Sequence, residues 1–150
     1  AKLTEGPFVD GDKTKLDGIE GSGTYSVNNF YTVLGGYVIA IRDGGKHGLV
    51  VAMQDQGNTT WYLANNLLSD ANNHDVNGGK FMDWRLPTER ELNLMYGVYN
   101  GGNGAALNAK FYWSSTEIDS NNAWRQDVDS GSNLSTIKTN TYNVRAVRAF

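Results

Sequence analysis

Four carboxylates, Glu117, Asp119, Asp127 and Asp129, fall within residues 117–129. Two carboxyl groups can cleave a glycosidic bond when burial keeps one protonated and its partner stays ionised. Here Asp119 and Asp129 sit in the turn-like stretches IDSNN and DSGSN, where Asp commonly bonds its own backbone. That local role is the favoured one, and an enzyme is not expected. A glycan-cleaving activity from these acids stays as the alternative. The same oxygens could hold calcium, which takes six to eight of them, but no D-x-D-x-D-G loop is present. No cofactor is therefore expected, and calcium stays open without a motif to support it. His47 and His74 are far apart and there is no cysteine, so a zinc site would need both histidines and carboxylates gathered by the fold. No metal ligand is assigned. G-x-S-x-G, H-E-x-x-H, P-loop and dinucleotide fingerprints are absent.

Trp61, Trp84, Trp113 and Trp124 could stack on sugar rings, yet their neighbours read as strands or the approach to a helix. That pattern favours a place in the core. In FYWSSTEIDSNNAW (111–124), Tyr112 and Trp113 would anchor one strand and Trp124 the next, holding the polar turn outward. Arg85, Arg145 and Arg148 stand among apolar residues, as buried partners for acids such as Glu89 or Glu117 would. Contact residues are then sought in the loops 65–80, 100–108, 118–122 and 129–133, which a rigid scaffold leaves free. Asp119, Asn121, Asn122, Asn133, Asn103 and Asn73 offer the donors and acceptors that sugar hydroxyls need.

The elements that must position these groups are short. YVIAIR (37–42) and HGLVVAM (47–53) form a hairpin across Asp43-Gly44-Gly45-Lys46. TTWYLA (59–64) reads as a strand and 65–80 as loop with one helical turn at most. Thr88 and Glu91 make a capping box for a helix at about 89–99, with Leu92, Met95, Tyr96 and Tyr99 on its apolar face. Asn100-Gly101-Gly102 ends it. FYWSST (111–116), AWRQDV (123–128), LSTIKT (134–139) and YNVRAVRAF (142–150) return to strands, as an antiparallel meander.

A chain of 150 residues makes one domain with a substantial core. Net charge is −3, so no basic field draws in nucleic acid. No apolar run approaches the ~20 residues of a bilayer span. With no cysteines, stability must come from packing or subunit association. Residues 1–24 are rich in glycine and charge, unable to bury much area alone. We read 1–34 as a linker or stalk, ordered only by neighbouring chains, and 35–150 as the folded head.

DWRLPTERELNLMY (83–96), YWSSTE (112–117), AW (123–124) and VRAVRAF (144–150), after the GKHGLVVA hairpin, resemble the Lcl C-terminal domain family. That family forms the globular tip of bacterial collagen-like adhesins and occurs on phage tail proteins. The resemblance covers about residues 35–150 and implies an α+β, C-type-lectin-like fold with twisted antiparallel sheets, one main helix and long loops. It also implies recognition of carbohydrate on a host cell or in mucus. The calcium-binding lectin motifs Glu-Pro-Asn, Gln-Pro-Asp and Trp-Asn-Asp are missing, so calcium-dependent capture is not carried over. GDKTKLDGIEGSGT (11–24) resembles segments that precede receptor-binding tips of phage tail fibres. Together these imply a homotrimer on a virion or at the cell surface, with a glycan as its partner; a purely structural trimerisation cap is the other alternative beside glycan cleavage.

Overall fold

The tight turn at Asp43-Gly44-Gly45 sets the first hairpin, all three residues standing at positive φ (55°, 67° and 89°). Glycine takes that region freely and Asp tolerates it better than most. It joins β2 (Gly36–Arg42) to β3 (His47–Val51) in the computed structural model, which describes residues 23–150. β1 (Phe30–Tyr31) and the C-terminal β9 (Val147–Ala149) complete a four-stranded sheet in the order β1-β2-β3-β9. The second sheet runs β4-β8-β5-β6-β7. Its members are β4 (Gly57–Thr60), β5 (Phe111–Glu117), β6 (Asn122–Asp127), β7 (Asn133–Ile137) and β8 (Thr141–Val144). Every pairing is antiparallel except a parallel bridge between Tyr112 and Asn143. With its two sheets and few short helices, the fold is α+β.

Successive strand residues face opposite ways, and β2, β3 and β5 use this to feed two cores. Val38, Val50 and Trp113 join Trp84 and Val144 in one; Ile39, Val51 and Tyr112 join Leu92, Met95 and Val147 in the other. The second core is roofed by α2 (Glu89–Asn100), whose capping box forms as its sequence requires. The Thr88 hydroxyl accepts from the Glu91 N–H (3.1 Å) and the Glu91 carboxylate from the Thr88 N–H (2.9 Å). The buried face is Leu92, Met95 and Val98, not Tyr96 and Tyr99. Those two rings flank the helix. The Tyr99 hydroxyl donates to Asp129 at 3.4 Å, and Tyr96 lies where a side chain on Gly131 (φ +81°) would collide with it at 2.7 Å.

Three expectations need correction. The folded body starts before residue 35: Tyr25 is buried, its N–H donates to Gly45 O at 2.8 Å, and its ring packs edge-on against Tyr31 and Phe150. An aromatic ring with waiting partners outweighs the glycine-rich character around it. The stalk expected over the rest of the N-terminal stretch lies almost wholly outside the described residues. Next, TTWYLA is not one strand. β4 stops at Thr60, Trp61–Leu63 form a 3-10 turn, and α1 (Ala64–Ser69) follows, with Ala64 and Leu68 buried four residues apart. Finally, YNVRAVRAF splits between the two sheets. β8 crosses between β4 and β5 rather than extending the β5-β6-β7 meander, and β9 joins the other sheet. The switch occurs at Arg145-Ala146, where a side chain holds the backbone and backbone carbonyls hold the guanidinium: Gln56 Oε1 accepts from the Ala146 N–H, and Arg145 donates to the Ala52 and Ala105 carbonyls. Among the described residues no helix is long and apolar enough to cross a membrane.

Candidate functional site

A bulge in β5 shapes the site. The β5–β6 register shifts between Trp113 and Glu117; the buried Ser114 hydroxyl donates to Trp124 O (2.7 Å) and accepts from the Thr116 N–H (3.1 Å). Ser115 is turned outward, its N–H donating to Pro87 O at 2.8 Å. The W-R-L-P-T stretch therefore lies against the W-S-S-T stretch, and the 3-10 turn after β4 closes the third side. Between them is a groove of about 370 Å³ lined by Trp61, Tyr62, Asn65, Arg85, Leu86, Ser115 and Glu117.

Its aromatic floor is held in place. Trp61 Nε1 donates to Ser114 O at 2.9 Å, and the Tyr62 ring stands edge-on to Trp61 at 5.9 Å, 54 % exposed. Lys138, only 2 % exposed, lies 4.3 Å over the Trp61 ring. Its three N–H donors are spent on Glu117 Oε1 (2.6 Å), Asp119 O (3.0 Å) and Ser120 O (3.2 Å). One ammonium thus ties the floor, the wall and the 118–122 tip together. On the far wall Arg85 forks onto Glu91 at 2.7 and 2.8 Å. Burial pushes the Glu91 carboxyl up, but bonds from Arg85 and Thr88 outweigh it and leave its pKa below the usual value.

Unequal responses are expected from the two halves of the Lys138 pair. Glu117→Gln leaves an ammonium buried without its counter-ion and should cost about 2–3 kcal/mol. Lys138→Met leaves only a half-exposed carboxylate and should cost about 1–2 kcal/mol. Urea unfolding of both variants checks the order.

The predicted contact residues separate into three places. Asp119, Asn121 and Asn122 share the tip at the lip of the groove, where Tyr62 donates to Ser120 O at 3.3 Å. Asp119 Oδ1 accepts the N–H groups of Asn121 and Asn122, each at 2.8 Å, and Asn122 Nδ2 at 3.0 Å. Asn133 lies toward α2, its Nδ2 donating to Asn93 at 3.3 Å and its Oδ1 buried without a partner. Asn103 clamps its own loop through both Leu107 N–H and O, and Asn73 donates to Leu67 O. The structure thus brings together three of the six and engages the other three in local architecture.

The bonds from Asn121 and Asn122 hold the Asp119 carboxyl below the ordinary 3.8. A lowered folded-state pKa supports the tip above the unfolded value and loses that support as pH falls through the folded one. An NMR titration of the Asn121 amide should therefore show its midpoint below that ordinary value; a midpoint at or above it contradicts the loop geometry.

The four acids are split between the ends of β6. Glu117 pairs opposite Ala123 and Asp127 opposite Phe111, separated by roughly 13 Å of strand at about 3.3 Å per residue. Catalytic carboxyl pairs stand about 5–9.5 Å apart. Asp127 accepts from Asp129 N–H and Ser130 in its own turn. A separate depression of about 390 Å³ beside Phe111 and Tyr142 has polar groups already joined, Asn58 to Asn143 and Asn143 to Asp55. Among the described residues no three acids or histidines converge to hold a metal. His74 is buried, stacked on Trp84 at 5.1 Å, and exposed His47 lies 3.6 Å from Asp43.

Trp84 and Trp113 are core residues, but Trp61 and Trp124 are only half-buried. Trp124 fails as an anchor because the register points Ala123 into the core and sets Trp124 opposite small Ser135 of the edge strand β7. The arginines are buried or paired as expected with other partners: Arg85 with Glu91, Arg145 with Asp55 and Arg148 with Asp83, instead of Glu89 or Glu117. Of the groove residues, Asn65 falls in the 65–80 loop expected from the sequence and Trp61 was assigned to the core, whereas Tyr62 and Lys138 were not singled out; the adjacent Trp61-Tyr62 pair was the one available signal.

No curated protein matches the chain. The model of the Lcl C-terminal domain matches residues 42–148, a span that contains every side chain of the groove. The chain belongs to the Lcl C-terminal domain family.

Proposed function

We propose that the chain is a non-enzymatic, C-type-lectin-like receptor-binding head that binds carbohydrate on a host cell surface or in mucus through the Trp61–Tyr62 groove. The observation that carries this is a pair of fixed aromatic rings set among Asn65, Ser115, Glu117 and Arg85 in one open cleft. An indole or phenol face matches the apolar face of a pyranose, and the surrounding amide, hydroxyl and charged groups match its hydroxyls. Family membership supports an adhesin or tail-protein setting, and the 11–24 segment favours a phage tail fibre. The head works as a homotrimer, on the virion or outside the cell. Modest affinity at each groove is multiplied by avidity.

A glycan array on the chain, with and without chelator, tests the reading. Binding is expected in both arms. Tyr62→Ala, at an exposed ring, should weaken the best hit by about tenfold or more while leaving the melting curve nearly unchanged. A blank array, or a hit indifferent to Tyr62→Ala and Trp61→Ala alike, rejects the groove. Solution mass by light scattering should correspond to three chains; a monomer rejects the trimer.

A further inference from the structure

We infer that the groove takes an uncharged sugar residue, and takes it without a metal ion; this rests on the carbohydrate reading above. The reason lies in which charges are already spent. Lys138 is the cation nearest the aromatic floor, yet all three of its N–H donors are consumed by Glu117, Asp119 O and Ser120 O. Arg85 is neutralised by a two-pronged pair with Glu91. It keeps its Nε–H and one Nη2 hydrogen as hydrogen-bond donors, not as an uncompensated charge. Glu117 gives Oε1 to Lys138 and is 55 % exposed along its side chain, so Oε2 remains an acceptor at the groove wall. Tyr62 donates its proton to Ser120 O and keeps its acceptor lone pairs.

The groove therefore presents donors and acceptors together, on an aromatic floor, with both cations paired and the Asp119 carboxylate in excess at the lip. A hydroxyl donates and accepts and fits such a lining. A sulphate or carboxylate only accepts; it meets no cation that lacks a carboxylate partner, Arg85 offering donors without net charge, and it must lie near the Asp119 carboxylate at the lip, which no cation pairs among the described residues. Two unit charges of like sign a few ångströms apart near a protein surface repel strongly enough to matter. A metal ion is disfavoured by the donor set: Asp119 Oδ1 already takes three N–H donors, Glu117 Oε1 is held by Lys138, and among the described residues no three acids or histidines converge on one point.

The test is equilibrium binding of the full chain to oligosaccharides ending in neutral hexoses or N-acetylhexosamines. Matched oligosaccharides carry a sulphate, a uronic acid or a sialic acid. Each is measured at low and high salt, with and without EDTA. Neutral termini should bind with an affinity that changes less than about twofold with salt and not at all with EDTA. An acidic group on the terminal residue should weaken binding about tenfold. Glu117→Gln should shrink that penalty if it folds, and the wild-type comparison decides the matter if it does not. Tighter binding of acidic termini, falling steeply with salt and lost in Tyr62→Ala, overturns the inference and leaves the carbohydrate reading standing. Loss of neutral binding in EDTA overturns its metal-free part. No binding to any member of the panel removes the carbohydrate reading itself.

Discussion

Arg145→Met is expected to cost about 3–5 kcal/mol of folding stability, because it leaves a mostly buried carboxylate, 18 % exposed, without its cation and strands the carbonyls that the guanidinium serves. Arg145 is 1 % exposed and makes four hydrogen bonds through all three of its nitrogens. Nε donates to Asp55 Oδ1 at 2.7 Å, Nη1 to the carbonyls of Ala52 (2.8 Å) and Ala105 (2.9 Å), and Nη2 to that of Ala106 (2.9 Å). Asp55 in turn accepts from the Tyr112 hydroxyl at 2.7 Å and Asn108 Nδ2 at 2.8 Å. Burial, with the Asp55 charge beside it, pushes the Tyr112 hydroxyl up to about 12, so the phenol stays a proton donor throughout the working range. Methionine fills much of the volume but strands three carbonyls and the carboxylate. Arg145→Lys should recover only part of the loss, since an ammonium can serve Asp55 but lacks the planar fork that reaches both loops. Urea unfolding of the three proteins measures this; a methionine variant within about 1 kcal/mol of the parent would show that the network carries little net stability.

Trp113→Ala should cost a similar amount, about 3–5 kcal/mol, through packing rather than charge. The ring is 0 % exposed, stands edge-on to Tyr142 at 5.0 Å, and donates Nε1–H to Thr59 O at 2.8 Å. Truncation opens a large cavity and leaves that carbonyl unpaired. Trp113→Phe should cost less, because it restores most of the volume and loses only the hydrogen bond and some contact. Asn121→Ala is the contrast: the loop at Asn121 is held by backbone groups, its N–H to Asp119 and its carbonyl from the Lys138 N–H, so stability should change by less than about 0.5 kcal/mol. If thermal melts place Asn121→Ala below Trp113→Ala, the division between scaffold and tip is wrong.

Both variants touch the same distinction between short-range and long-range information. The helix at Glu89–Asn100 was readable because Thr88 and Glu91 satisfy each other across three residues, with no need of the rest of the chain. The 43–46 turn and the outward tip at 118–122 were readable for the same reason: glycines and an Asp that bonds the N–H groups two and three residues on carry their instructions locally. Trp61 misled because β-propensity in TTWYLA is genuine, but Ala64 and Leu68 find buried places only if the chain turns into α1 first. Trp124 misled because a strand pattern cannot say which of two neighbours, Ala123 or Trp124, faces inward until register is set.

From its residues alone this chain determined its family, its α+β class, its main helix, its first hairpin and the polar tip beside the W-S-S-T strand, since each depends on groups a few positions apart. Tertiary structure alone decided that Lys138 would hold that tip against Trp61, that Asp55 would receive Arg145 across a separation of 90 residues, and that the last strand run would divide between two sheets. A hydrogen bond between distant residues leaves no periodic trace in sequence. Only packing shows which acid a buried cation has found, and thereby where a groove opens.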